Sequence, residues 1–147
     1  MTAEANLNWM IDRAIERVYV DNVASRSWRF EFTDGGSLRV DSLWRVLADG
    51  GVAVSSRDHW HRSTLPELPD SSEAAAARLR SRKIKGAFVR PESGDLVLEL
   101  EGNFLLDVVV TPISYESWTL DFPNGDIVIA LRDGKLQVLP VTPRQET

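Results

Sequence analysis

Cysteine is absent from the 147 residues, which removes disulfides, thiol nucleophiles and every zinc site built on Cys. Histidine is nearly absent: His59 and His61 are the only two, so imidazole chemistry is confined to one short segment. No apolar run approaches the roughly 20 residues that a membrane helix needs. Met1–Asn8 lacks a basic stretch followed by an apolar one, so no secretory signal is read and a cytoplasmic location is the expectation. Gly35-Gly36, Gly50-Gly51 and Gly125 sit in hairpin-turn contexts, without the Walker lysine or strand-to-helix junction of a phosphate loop. No Gly-x-Ser-x-Gly elbow presents a serine nucleophile, and a Ser-His-Asp triad spelled from neighbours such as Ser55–His59 would seldom converge in space.

What remains is a chain of ordinary globular composition, 43% hydrophobic, with a length that suits one domain over residues 1–147. Five tryptophans are many for this length. Acidic residues number 22 against 17 basic ones, a net charge of −5, but the charge is unevenly placed. A basic cluster runs through Arg78, Arg80, Arg82, Lys83, Lys85 and Arg90, and the chain beyond it is strongly acidic. If helical, Arg78, Arg82 and Lys85 would form a stripe able to meet phosphates. A solvated helix end explains them better, so nucleic acid is not the expected ligand. The acidic half suits a protein partner with a basic surface.

The spacing of Leu7, Met10, Ile11, Ala14, Ile15 and Val18 predicts an N-terminal amphipathic helix over Glu4–Val18. The period then changes from helical to alternating. Trp28, Phe30 and Phe32 point one way and Arg29, Glu31 and Thr33 the other, and the turn residues Asp34–Ser37 lead into Leu38 and Val40. Trp44-Arg45-Val46-Leu47-Ala48, Asp49-Gly50-Gly51 and Val52-Ala53-Val54 repeat the pattern. So do Leu96/Leu98/Leu100, Phe104/Leu106/Val108/Val110, Trp118/Leu120/Phe122, Ile127–Leu131 and Leu136–Leu139. At an offset of about 68 the first half falls on the second, Leu38/Val40 onto Leu106/Val108; the offset grows to about 74 for Trp44/Val46 onto Trp118/Leu120, as an insertion near Pro112–Glu116 would require. Two similar meander halves follow, about 18–56 and 84–141. Between them lies a connector, about 57–83, in which Asp70 and Glu73 have the spacing of a capping box before a helix over about Ser71–Arg82. The fold class is α+β: mostly antiparallel sheets, as a sandwich or a partly open barrel, with an N-terminal and a connecting helix.

The densest chemistry is Ser55-Ser56-Arg57-Asp58-His59-Trp60-His61. In an extended segment His59 and His61 would share a face, but a metal needs further ligands and Asp58 would point away. No metal and no cofactor is expected. Trp28, Trp44 and Trp118 read as core residues; Trp60, between the two histidines, is the best contact candidate if exposed. Tyr115 and Glu116 flank Trp118, either closing the strand entrance or joining Asp58–His61 in a polar patch. The candidate binding patch is therefore Asp58, His59, Trp60, His61, Tyr115 and Glu116.

Ser27–Phe32 with Gly35–Leu38, Ser42–Arg45, Ser55–His59, Gly94-Asp95-Leu96 and above all Ser114-Tyr115-Glu116-Ser117-Trp118 with Asn124-Gly125 resemble a family of small uncharacterised bacterial proteins, a domain of unknown function. The resemblance covers most of the chain. It implies a β-rich build and a bacterial origin, and no established activity; glycine would be more typical than Trp60-His61 after Asp58-His59. Small acidic proteins of this kind can be immunity partners of bacterial toxins. The expected function is thus a non-enzymatic protein-binding module of immunity type, with homodimerisation a further expectation. The alternative is a small-molecule binder or enzyme using Asp58–His61, Tyr115 and Glu116.

Overall fold

A computed structural model describes residues 6–61 and 70–141. Among these residues, eleven strands form two antiparallel sheets. The strands are β1 Ile15–Asn22, β2 Ser27–Phe32, β3 Ser37–Val40, β4 Leu43–Ala48, β5 Gly51–Ser55, β6 Ile84–Val89, β7 Leu96–Leu100, β8 Phe104–Val109, β9 Glu116–Asp121, β10 Ile127–Leu131 and β11 Leu136–Leu139. Among the described residues, two helices, α1 Ser56–His59 and α2 Ser71–Leu79, lie between β5 and β6. The six-stranded sheet has the order β1-β2-β3-β9-β10-β11 and the five-stranded sheet β5-β4-β8-β7-β6. They stack as a sandwich rather than closing into a barrel.

Alternation decides which side chains fill the space between the sheets. Trp28, Phe30, Leu38, Val40, Trp118 and Leu120 from one sheet, and Trp44, Val46, Leu96, Leu98, Leu106 and Val108 from the other, are all fully buried. Trp28 and Trp44 meet edge to face at 5.0 Å between centroids, and Phe30 meets Trp44 at 5.2 Å in the same manner. That geometry sets the positive ring edge against the negative ring face. The turns follow from local chemistry: Asp49 and Gly50 both have positive φ, 53° and 78°, which the tight β4–β5 connection requires.

Each half gives three strands to one sheet and two to the other. Strands β1–β3 lie in the six-stranded sheet and β4–β5 in the five-stranded one; β6–β8 and β9–β10 do the reverse, and β11 is additional. The halves meet at the centre of each sheet, where Val40 opposes Trp118 and Leu38 opposes Leu120, while Val108 opposes Trp44 and Leu106 opposes Val46. Offsets of about 68 and 74 carry one set of pairs onto the other.

The N-terminal helix over Glu4–Val18 is not formed. A short 3-10 turn, Asn8–Met10, buries Leu7 and Met10; Asp12 then takes a positive φ of 70°, and β1 begins at Ile15. Ala14, Ile15 and Val18 fit both a helical and an alternating face over so short a window. Pairing with β2, from Ile15↔Phe32 to Asn22↔Ser27, decides for the strand. The connecting helix stops at Leu79, three residues before the expected Arg82. Asp70 caps it, and Ala75, Ala76 and Leu79 are buried where α2 lies against β1 and β5. Much of the proline-containing connector, 62–69, lies outside the described residues, as do the first residues of the expected N-terminal helix.

Candidate functional site

Ser55 through His61 does not run extended. The Ser55 hydroxyl accepts from the Arg57 N–H at 3.2 Å, and Ser56 Oγ accepts from the buried Trp44 N–H at 3.1 Å. These bonds start α1, and the Trp60 and His61 amides continue the turn onto the carbonyls of Arg57 and Asp58. His59 and His61 consequently do not share a face. His59 points inward, its side chain 14% exposed, with its ring 5.1 Å from Trp28 and 4.9 Å from Trp60. His61 is exposed. Trp60 is half-buried, packed 5.7 Å from Trp28, with the Arg26 guanidinium 5.1 Å above its ring.

Nδ1 of His59 accepts from the Ser71 N–H at 3.3 Å and lies 3.7 Å from Asp70 Oδ1. Accepting that N–H requires a lone pair at Nδ1, so the neutral ring carries its proton on Nε2. A proton at Nδ1 would instead favour Asp70. Partial burial alone would raise the Asp70 carboxyl, but bonds from the Ser72 hydroxyl and the Glu73 and Ser72 amides, with the charge of His59, outweigh it and hold the group below the usual carboxylate range. His59 therefore joins the ends of α1 and α2 to the aromatic core. Among the described residues, no group of three or more potential ligands is placed to hold a metal.

Tyr115 and Glu116 have other partners. The connection from β8 to β9, Val110–Tyr115, is longer than the Asp41-Ser42 link between β3 and β4. It is held from several sides. The Thr111 amide donates to Ser117 Oγ at 3.1 Å, and the Ser114 hydroxyl donates to the Asp41 carbonyl at 3.1 Å. Arg132 donates to the Pro112 carbonyl through Nε and Nη2, at 3.2 and 3.0 Å, and its guanidinium lies 4.5 Å from the Tyr115 ring centroid. Glu116 is half-buried opposite Leu131. The loop so braced presents Ile113, 88% exposed, and Tyr115, 74% exposed. No described contact joins it to Asp58, His59, Trp60 or His61.

Ile113 and Arg132 were absent from the candidate patch read from sequence. The available signal was an apolar residue beside a proline within the insertion that offsets the two halves. The basic stripe also takes another form, because α2 ends before Arg82: Ser81 has φ 69°, and Arg82 lies 4.0 Å from the Phe104 centroid while donating to the carbonyls of Arg78 and Glu101. At the opposite end of β9, a groove of about 570 Å³ is lined in part by Glu16, Glu31, Asp34 and Asp121, of which Glu31 pairs with Arg17 at 3.3 Å and Asp121 lies 3.8 Å from Arg29. No helix among the described residues is long and apolar enough to cross a membrane.

These features define a two-sheet antiparallel sandwich with a braced loop at one end and a carboxylate-lined groove towards the other. The chain belongs to DUF6188, a family of unknown function, whose match spans residues 7–140. Neither a curated protein nor a solved structure matches it.

Proposed function

We propose that this protein is a non-enzymatic binding module that docks on a protein partner through the Val110–Tyr115 loop. The observation that carries this reading is the joint exposure of Ile113 and Tyr115 on a loop fixed by Arg132, Ser114 and Ser117. An anchor held in place before contact loses little conformational freedom on binding, and tyrosine is enriched among residues that dominate interface energies. The groove lined by Glu16, Glu31, Asp34 and Asp121 supports a partner with a basic surface, as an immunity-type protein of a bacterium would meet in a toxin.

The alternative of a small-molecule binder or enzyme built on Asp58–His61, Tyr115 and Glu116 has less support. His59 is packed against Trp28 and Trp60, whereas Tyr115 lies with Arg132. The test is association with the product of a neighbouring gene, measured at low and high salt for the wild type and for Tyr115→Ala. Binding that weakens with salt and falls at least tenfold in Y115A is expected. No association at low salt, or equal affinity in Y115A, contradicts the reading.

A further inference from the structure

We propose that the groove beside the N-terminal turn is a ligand site for a zwitterionic amino acid with an apolar side chain. The groove lies at the far end of β9 from the Val110–Tyr115 loop, has a volume of about 390 Å³, and is lined in part by Trp9, Arg13, Phe122, Pro123 and Asp126. That volume is within the range of small-molecule sites, and the lining joins an apolar wall to a few polar groups, as such sites do.

The apolar wall is fixed by local packing. Trp9 sits in the 3-10 turn Asn8–Met10, and its indole lies over Gly36, where a Cβ would come within 2.7 Å of the ring. The same indole packs on Phe122 at 5.0 Å and Phe32 at 6.0 Å between centroids. Pro123 follows in the β9–β10 turn, which the Gly125 amide closes by donating to the Phe122 carbonyl at 3.0 Å. Such a wall is in place before any ligand arrives, so binding orders little of it.

Two charges on the groove define the ligand. Arg13 is half-buried and pinned through its backbone, the amide donating to the Met10 carbonyl at 3.1 Å and the carbonyl accepting from the Ile84 amide at 2.7 Å. Its side chain donates to the carbonyls of Trp9 at 2.6 Å, Asp34 at 3.1 Å and Gly35 at 3.4 Å, with the guanidinium 5.2 Å from the Trp9 ring centroid. All three acceptors are neutral, and no carboxylate among the described residues pairs with Arg13. Of the five N–H groups on a guanidinium, one on each terminal nitrogen is left without an acceptor among those residues. Asp126 is held in turn: Oδ1 accepts from the Val141 amide at 2.7 Å and Oδ2 from Asn124 Nδ2 at 3.2 Å, which leaves lone pairs on both oxygens. Arg13 and Asp126 thus stand on one groove without meeting. A plain anion would be opposed by Asp126 and by the acidic groove that shares Phe122 and Pro123, and a plain cation would be opposed by Arg13. An α-amino acid answers both: its carboxylate takes charge-assisted bonds from Arg13, its ammonium turns to Asp126, and its side chain lies on Trp9, Phe122 and Pro123.

Titration of the nitrogen-15-labelled full chain with L-phenylalanine, followed by NMR, tests this. About 12 non-hydrogen atoms at the efficiency of ordinary ligands give a dissociation constant of about 1 mM. The indole N–H resonance of Trp9, identified by its loss in Trp9→Phe, should shift and saturate, while those of the other four tryptophans stay in place. L-Phenylalaninamide, which lacks the carboxylate, and N-acetyl-L-phenylalanine, which lacks the ammonium, should each bind at least tenfold more weakly. Arg13→Gln and Asp126→Asn should each weaken L-phenylalanine at least tenfold. The three probes are compared on the wild type, so the test stands even if Arg13→Gln fails to fold. No shift of the Trp9 resonance up to about 20 mM, well above the expected constant, overturns the proposal. So does either derivative binding as tightly as the amino acid; equal binding of the N-acetyl compound would mark a site for a carboxylate alone, such as a peptide C-terminus.

Discussion

Replacing Asp70 with alanine should destabilise the protein by about 1–2 kcal/mol, since the side chain caps α2 and carries its charge at the positive end of the helix dipole. The carboxylate accepts from the Ser72 amide at 2.9 Å, the Glu73 amide at 3.3 Å and the Ser72 hydroxyl at 2.5 Å. For a chain of this length that loss corresponds to a fall in Tm of roughly 3–6 °C. Asp70→Asn should retain most of the cap and lose only the charge. Since the folded pKa of Asp70 is lowered from the usual value, its charge-dependent stabilisation is complete above the unfolded pKa, about 3.9, and disappears as pH falls through the folded value. Urea midpoints of wild type and D70A should therefore differ by a constant amount near neutrality and draw closer in acid, by the charge-dependent part that Asp70→Asn also loses. A loss smaller than about 0.3 kcal/mol, well below the usual effect of removing a cap, would refute the reasoning. So would a gap that persists unchanged below pH 3.

Other outcomes follow from single contacts. Trp118 Nε1 donates to the buried Gly94 carbonyl at 2.9 Å, whereas Nε1 of Trp44, its counterpart in the other sheet, has no partner among the described residues. Urea denaturation should find W118F about 1–2 kcal/mol more destabilising than W44F, because only the former leaves a carbonyl unsatisfied; equal losses would contradict this. Gly94 and Gly50 have similar positive φ, 80° and 78°, but a Cβ at Gly94 would overlap the Gly134 backbone while one at Gly50 meets open space. G50A should cost about 1 kcal/mol, the strain of the left-handed conformation, and G94A at least about 2 kcal/mol more, read from the same midpoints. Arg132→Ala should leave Tm within about 2 °C of wild type, as a surface substitution, yet weaken partner binding several-fold by releasing the loop.

The strands and their buried faces were legible because period-2 alternation is imposed by the pleat itself: Trp28, Phe30, Trp44 and Leu106 each fall inside as their parity requires. Alternation names a face, not a neighbour, so the exchange of strands between sheets could not be read from it. The N-terminal segment misled because Ala14, Ile15 and Val18 satisfy two periods, and only the pairing with β2 distinguishes them. At the candidate site, parity failed for His59 and His61 because Ser55 and Ser56 bend the chain into α1, which places Trp60 against Trp28. The loop anchor was half legible. Tyr115 was singled out from its motif, but its bracing depends on Arg132, which reaches it only because β10 returns beside β9.

Docking through the Ile113–Tyr115 loop is tested most directly by a photoreactive phenylalanine analogue at position 113, expressed in the cell from which the sequence comes. Position 85, exposed on β6, serves as the comparison. The account predicts one discrete cross-linked species from position 113 that disappears with Tyr115→Ala and does not form from position 85. No adduct from position 113, or the same adducts from both positions whatever stands at 115, would contradict it.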